Sequence, residues 1–289
     1  MVAMKRFPRW LVVGLALEAL AFGAIGLLIL DMNLHRRAAE RDGVNRWGYR
    51  GPIVGRRRAL EHRLVVVGGS AAFGYGNPFE ETFPVYLERN LQQRWRAGFR
   101  AQPVKVVNLA AVPDDAASFL QTLRDFEYLD YDIVCFYDGY NSVNESFDAS
   151  GWRRRSAVFR RTGYLPILPF VVAGDSPVGR PRPPATAPAQ WDRYGAAMDA
   201  AVGFVLESGR TAIVVTPPVL SAVHREQQRA LAAALANHFG GHRRFRYLDF
   251  GSSVDLRDRN LSYDGVHLTA RGNDVVADAL TGPVFQLLP

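Results

Sequence analysis

The sequence predicts an α/β domain built on a parallel β-sheet with helices on both faces, preceded by one N-terminal transmembrane helix. The domain is indicated by short strand-like segments that alternate with longer segments of helical periodicity. These strands are largely apolar, as in a sheet that is buried on both faces. The transmembrane helix is indicated by a long apolar run close to the N-terminus.

The apolar run extends from Trp10 to Leu30 and contains one charged residue, Glu18. A helix of these 21 residues is about 31 Å long, which is enough to cross the hydrocarbon core of a bilayer. A cleaved signal peptide is the alternative, but its apolar region is usually shorter, and no clear A-x-A cleavage site ends this run. We therefore expect residues 10–30 to form an uncleaved anchor.

The formal net charge of +7 is concentrated on the two sides of this anchor. Residues 1–9 form a short basic tail and residues 31–63 an Arg-rich stalk, whereas residues 64–289 carry equal numbers of basic and acidic side chains. This distribution favours anionic membrane lipids as the partner of the stalk and argues against nucleic acid. Because arginines follow the anchor as well as precede it, the charge rule leaves the membrane side of the domain open.

Five strands and five helices alternate after the stalk. The predicted strands span 64–67, 104–107, 133–137, 212–216 and 246–250, and the predicted helices span 82–96, 114–126, 191–207, 222–238 and 269–280. We therefore expect residues 64–289 to contain the whole core and to fold without residues 1–63. A Pro-rich and Arg-rich insertion at about 146–190 interrupts the alternation, and its Arg153–Arg155 run is expected to be a solvated loop.

The composition excludes several kinds of site. A single cysteine, Cys135, supports neither a disulfide framework nor a cysteine-based zinc site. No Gly-rich segment is followed by Lys-Ser or Lys-Thr, so a phosphate-binding P-loop is excluded. In the segment VVVGGSAAFGYG, Ser70 stands where a dinucleotide fingerprint needs glycine, and Ala72 stands where a nucleophile elbow needs glycine.

Three short segments carry residues suited to acyl-transfer chemistry. Ser70 follows the first strand, where its hydroxyl is exposed and its own N–H can face a developing anion. Asp264 stands three residues before His267, so one loop can supply a base and the carboxylate that orients it. Asn141 follows the third strand and could donate a side-chain N–H to an oxyanion. Taken singly, these segments are equally compatible with ordinary turns.

Taken together, the segments resemble the SGNH hydrolases, also called the GDSL esterase/lipase family, over roughly residues 64–289. The family's four blocks correspond in order to GGS ending at Ser70, NLA at Asn108–Ala110, DGYN ending at Asn141, and DGVH ending at His267. The approach to the first block also resembles that of membrane-anchored bacterial members. The resemblance implies a flavodoxin-like three-layer sandwich with a five-stranded parallel sheet, preceded here by the transmembrane helix.

The resemblance also implies a role for each site residue. Ser70 would be the nucleophile, His267 the general base and then the general acid, and Asp264 its orienting partner. The oxyanion hole would consist of the Ser70 N–H, the Ala110 N–H and the Asn141 side chain. Two positions depart from the family pattern: Gly69 replaces the aspartate before the nucleophile, and Ala110 replaces the glycine of the second block.

These features together predict a membrane-anchored serine esterase with no metal or cofactor. We expect it to act on an O-acyl group of an envelope glycan or lipid, on the extracytoplasmic side of the cytoplasmic membrane. Two alternatives stay open: a non-catalytic scaffold that binds a polysaccharide or an assembly partner, and an O-acyltransferase in which a sugar hydroxyl replaces water. A second GDS sequence, which ends at Ser176, lies in the Pro-rich insertion, and the other blocks cannot follow it in order.

Overall fold

The computed structural model describes residues 8–97, 103–112, 114–141, 153, 156–172 and 187–288. It begins with a single helix, α1 (Arg9–Asp42), which contains the apolar run and continues beyond it. The most apolar window of α1 has a mean hydropathy of 2.3, and none of that window is buried. By length and composition, α1 is therefore able to cross a membrane.

Five strands form one parallel sheet in the order β2-β1-β3-β4-β5. Their bounds are β1 (His62–Gly68), β2 (Val104–Asn108), β3 (Ile133–Tyr137), β4 (Thr211–Thr216) and β5 (Phe245–Asp249). This is the flavodoxin-like order, in which ligands bind beyond the carboxyl ends of the strands. The prediction of five parallel strands is confirmed, and each strand lies within two residues of its predicted bounds.

The helices after α1 cover both faces of this sheet. They are α2 (Ser70–Phe73), α3 (Phe83–Ala97), α4 (Ala116–Asp125), α5 (Ala157–Thr162), α6 (Leu168–Val172), α7 (Ala187–Glu207), α8 (Ala222–Phe239) and α9 (Ala270–Phe285). In β1, Leu64 and Val66 join the core under α3 and α9, whereas Val65 and Val67 join the core under α4 and α7. This alternation of side chains explains why residues 64–67 of β1 are all apolar.

The segment predicted as a stalk is partly built into the domain, so the prediction that the core lies wholly after residue 63 is wrong. Tyr49 is 1% exposed and belongs to the core on the α4 side of the sheet. Antiparallel bridges join Val44 to Arg50 and Arg50 to Asn108, at the carboxyl end of β2. The apolar periodicity that marks a core segment is missing here because one tyrosine and one buried arginine make the attachment.

The described residues of the insertion at 146–190 include α5, α6 and the start of α7. Arg153 is 4% exposed, and its Nε lies 2.8 Å from a carboxylate oxygen of Asp125. The prediction that this arginine is solvated is therefore wrong, because an aspartate at the end of α4 compensates its charge. Arg154, Arg155 and Ser176 lie outside the described residues.

Candidate active site

Ser70 is the first residue of α2, directly beyond the carboxyl end of β1. Two glycines precede it because neither position has room for a side chain. A Cβ atom on Gly68 would lie 2.1 Å from the Tyr137 carbonyl oxygen, and one on Gly69 would lie 2.6 Å from Asn141 Nδ2. The close approach of β1 to the turn after β3 therefore dictates the GGS sequence and brings Ser70 next to Asn141.

Ser70, His267 and Asp264 form one hydrogen-bonded chain although 194 residues separate Ser70 from Asp264. His267 Nδ1 lies 2.6 Å from Asp264 Oδ2, and His267 Nε2 lies 2.9 Å from Ser70 Oγ. A carboxylate only accepts hydrogen bonds, so the proton of a neutral imidazole belongs on Nδ1. Nε2 is then free to accept the proton of the Ser70 hydroxyl, which is the geometry of an activated serine nucleophile.

The loop that carries His267 is rigidly braced. Asp264 Oδ1 accepts the backbone N–H groups of Val266 at 2.9 Å and His267 at 2.7 Å. Gly265 between them has φ +87°, a conformation that favours glycine. Partial burial raises the pKa of Asp264, but the hydrogen bonds from His267 and Val266 outweigh it, and the net pKa is lowered. Asp264 therefore stays ionised as the partner of the imidazole.

The predicted oxyanion donors are only partly arranged as expected. The Ser70 N–H lies in the first turn of α2, where backbone N–H groups have no acceptor within the helix. The Ala110 N–H, in contrast, already donates to Asn108 Oδ1 at 3.1 Å. This is an Asn turn, in which the side chain accepts the N–H two residues further on. The Ala110 N–H therefore serves an oxyanion only if it leaves or shares Asn108, and its role as an oxyanion donor stays a prediction.

Asn141 follows β3, at the same edge of the sheet as Ser70, but its side-chain amide also has protein acceptors. Nδ2 donates to the Asp114 carbonyl oxygen at 2.7 Å and makes a longer contact of 3.4 Å with the Val112 carbonyl oxygen. The first hydrogen bond is well formed, whereas the second lies beyond the usual range. Asn141 therefore holds the loop after β2 with one N–H and has the second only weakly engaged.

Arg50 and Asn108 hold the turn that follows the nucleophile, and sequence reasoning missed both roles. The Arg50 guanidinium donates to the carbonyl oxygens of Phe73, Gly74 at 3.0 Å and Asn77 at 2.6 Å. Asn108 Nδ2 donates to the Ala72 carbonyl oxygen at 3.1 Å. Burial lowers the pKa of Arg50 to about 10, so it remains a cation at neutral pH. No local sequence signal marks Arg50, because its acceptors lie more than 20 residues away.

Two tyrosines flank His267 at the surface and were also missed. The Tyr75 ring centroid lies 5.1 Å and the Tyr263 ring centroid 5.9 Å from the imidazole centroid. The Tyr263 hydroxyl donates to the Tyr75 carbonyl oxygen at 2.9 Å, which ties the two loops together. A cleft of about 1000 Å³ opens on the side of these tyrosines, and another of about 760 Å³ opens on the side of Asp264. Neither cleft is lined by His267 or Ser70 themselves.

A buried carboxyl group lies beneath the site. Asp138 is 7% exposed and lines a small cavity of about 10 Å³ together with Ser70 and Asn141. Burial, followed by the charge of Asp115, raises the pKa of Asp138 well above its usual range, although N–H groups of Gly139 and Gly69 partly oppose this. A raised pKa favours the neutral acid, which limits the negative charge beside Ser70.

Solved structures with the same architecture include proteins described as an esterase and a lipase/acylhydrolase, and the chain has the SGNH-hydrolase fold. The psychrotrophic esterase EstA from Pseudoalteromonas sp. matches with a TM-score of 0.50 and 11% identity, covering 78% of this chain and 97% of that chain. TesA matches with a TM-score of 0.52 and 13% identity, covering 78% and 100%.

A third match is the lipase/acylhydrolase from Enterococcus faecalis, with a TM-score of 0.51 and 15% identity, covering 79% of this chain and 97% of that chain. No protein-family model and no curated protein sequence matches the chain. At these identities the likeness shows the fold alone, and the chemistry of this chain depends on its own residues.

Proposed function

We propose that the protein is a membrane-anchored serine esterase that hydrolyses carboxylic O-acyl esters. The observation that carries this proposal is the hydrogen-bonded chain from Ser70 Oγ through His267 to Asp264, at the carboxyl end of a parallel sheet. A serine hydroxyl is a weak nucleophile unless a neighbouring base takes its proton, and the base works best when a carboxylate orients it. Neither a metal nor a cofactor is needed for this chemistry.

The reaction begins when Ser70 Oγ attacks the ester carbonyl carbon while His267 Nε2 takes the hydroxyl proton. The carbonyl oxygen becomes an oxyanion. The Ser70 N–H and the weakly engaged N–H of Asn141 would donate hydrogen bonds to it. Asp264 stabilises the imidazolium that forms. His267 then donates its proton to the departing alcohol oxygen, which leaves an acyl group on Ser70.

Water completes the cycle by the same route in reverse. His267 takes a proton from water, the hydroxide attacks the acyl carbon, and collapse of the second tetrahedral intermediate returns the proton to Ser70 Oγ. The acid is released and the three side chains regain their starting state.

The substrate is proposed to be an acylated small molecule, lipid or glycan, preferably an envelope glycan or lipid outside the cytoplasmic membrane. Two clefts near the site, one lined by Tyr75 and Tyr263 and the other by Asp264, support a bulky alcohol part. The length and apolar character of α1 support the anchor. The Arg-rich turns that follow residue 30 support contact with anionic headgroups.

A non-catalytic scaffold remains the second candidate, and one observation favours it. The Ala110 N–H and one Asn141 N–H are held by protein acceptors, so two of the three predicted oxyanion donors are engaged. A protein that only binds a polysaccharide or an assembly partner would have no need to release them.

Reaction with a fluorophosphonate probe separates these candidates. The esterase proposal expects labelling of the wild-type protein and none of Ser70→Ala, together with hydrolysis of p-nitrophenyl acetate by the wild type alone. Ser176→Ala is the control, because it removes the serine of the second GDS sequence, and it should keep both signals. An unlabelled wild-type protein would favour the scaffold, and loss of labelling in Ser176→Ala alone would refute the assignment of Ser70.

A further inference from the structure

The end of the apolar run in α1 is latched to the domain through one carboxylate. Asp31 is 4% exposed, and its Oδ1 accepts the backbone N–H groups of Ile167 at 2.9 Å and Leu168 at 2.7 Å. Its Oδ2 accepts the Tyr164 hydroxyl. Burial of a carboxylate is unfavourable unless hydrogen bonds compensate its charge. Three donors compensate the charge of Asp31, so the contact between α1 and the domain is stable.

The latch also sets the direction in which α6 leaves the domain. One turn further along α1, His35 Nε2 hydrogen-bonds the Leu165 carbonyl oxygen at 2.8 Å. The chain therefore passes from the level of His35 at Leu165 to the level of Asp31 at Leu168, and it moves toward the N-terminal end of α1. α6 contacts α1, and continuation in that direction carries α6 toward the apolar run.

Among the described residues, the far end of α6 is apolar and exposed. Val171 is 57% exposed and Val172 is 79% exposed. Leu27 and Leu30, in the last apolar turns of α1, are also exposed, at 60% and 49%. Water is a poor environment for these apolar side chains, whereas lipid acyl chains suit them.

The expected position of the bilayer agrees with this surface. If residues 10–30 cross the hydrocarbon core, its boundary lies near Asp31, and the exposed Arg36 and Arg37 lie about one turn beyond it, at headgroup level. Four residues of helix advance about 6 Å, so Val172 lies below this boundary, at a depth typical of interfacial helices.

We propose that α6 is a second membrane contact, which enters the bilayer interface beside α1 and is held there by Asp31. The partner is the acyl-chain region of the lipids themselves. With two contact points the domain cannot swivel about α1, so the opening of the Ser70 site keeps a constant orientation to the membrane. This inference rests on the proposed anchoring by α1.

Quenching of a fluorophore by nitroxide lipids tests the proposal in the full-length protein. The native Cys135 is fully buried, and burial raises the pKa of its thiol to about 12, so it does not compete for labelling. A nitrobenzoxadiazole label is attached to Val172→Cys, to Leu20→Cys within the apolar run, and to Val223→Cys as a control that is 48% exposed on α8. Each variant is reconstituted in phosphatidylcholine–phosphatidylglycerol vesicles that carry acyl-chain nitroxide.

We expect the labels at positions 172 and 20 to lose most of their emission and the label at 223 to keep it. Asp31→Ala should restore emission at 172 and leave the quenching at 20 unchanged, with an unchanged circular-dichroism spectrum reporting that the domain is still folded. Equal emission at 172 and 223, with 20 quenched, would overturn the second contact and leave the anchor standing. An unquenched label at 20 would overturn both. An unquenched label at 172, together with an intermolecular disulfide when unlabelled Val172→Cys protein is oxidised with copper phenanthroline, would overturn the lipid contact and assign the surface to a second copy.

Discussion

Gly69 is the position at which the structure gives the most specific prediction about activity, because a side chain there would collide with Asn141. Its backbone, with φ −86° and ψ −152°, is extended and open to any residue, so the need for glycine is steric. A Cβ atom there would lie 2.6 Å from Asn141 Nδ2 and 2.7 Å from the Asp114 carbonyl oxygen. Real Cβ atoms do not approach so closely, and Gly69→Ala therefore has to displace the Asn141 amide.

The expected loss follows from what Asn141 does in the proposed mechanism. Its hydrogen bond to the Asp114 carbonyl is broken, which costs roughly 0.5–1.5 kcal/mol of stability. Removal of one oxyanion donor typically lowers kcat by about 10²–10³, or roughly 3–4 kcal/mol, because the charge exists mainly in the transition state. Gly69→Ala should therefore lower kcat for p-nitrophenyl acetate by about 100-fold with little change in KM.

A double-mutant cycle with Asn141→Ala tests whether the effect passes through this amide. Each single variant should lose about the same activity, and the double variant should lose little more. Gly241→Ala is the matched control, because a Cβ atom there meets nothing within 4 Å, and it should keep wild-type turnover. Wild-type kcat in Gly69→Ala, or fully additive losses in the double variant, would refute the reasoning.

Three further predictions concern the imidazole, the pH dependence of stability and the truncated chain. Asp264→Asn should stay folded yet lower kcat by about 10⁴, because His267 loses the partner that sets its tautomer; unchanged turnover would exclude the triad. Burial lowers the pKa of His224 to about 4. The unfolded state then binds more protons below pH 6.5, so stability should fall between about pH 6.5 and 4 by at most about 1.4 kcal/mol per pH unit, more steeply than in His224→Asn in denaturant titrations. A chain of residues 43–289 should unfold cooperatively, whereas 64–289 should be less stable by more than about 3 kcal/mol because it lacks the buried Tyr49; equal denaturation midpoints would contradict this.

The strands of the sheet could be predicted from the sequence because each has a recognisable local pattern. A strand buried on both faces is largely apolar, so β1 to β4 stand out from the helices between them, whereas β5 is only partly buried. Ser70, His267 and Asp264 could also be predicted from the sequence, since a small turn after a strand and Asp-x-x-His before a helix are short patterns. Because the carboxyl ends of parallel strands share one edge, their convergence followed from the fold.

Contacts between distant segments were decided only by the tertiary structure. Arg50 resembled any other arginine of a basic stalk until the carbonyl oxygens of the turn after Ser70 were found around it. The Ala110 N–H could be counted as an oxyanion donor until Asn108 was seen to accept it. Asp31 likewise appeared as the first charge after an apolar run, whereas its donors come from residues more than 130 positions away. Hydrophobic periodicity can be detected in the local sequence. The partner of a buried polar group, in contrast, depends on which distant segments the fold brings together.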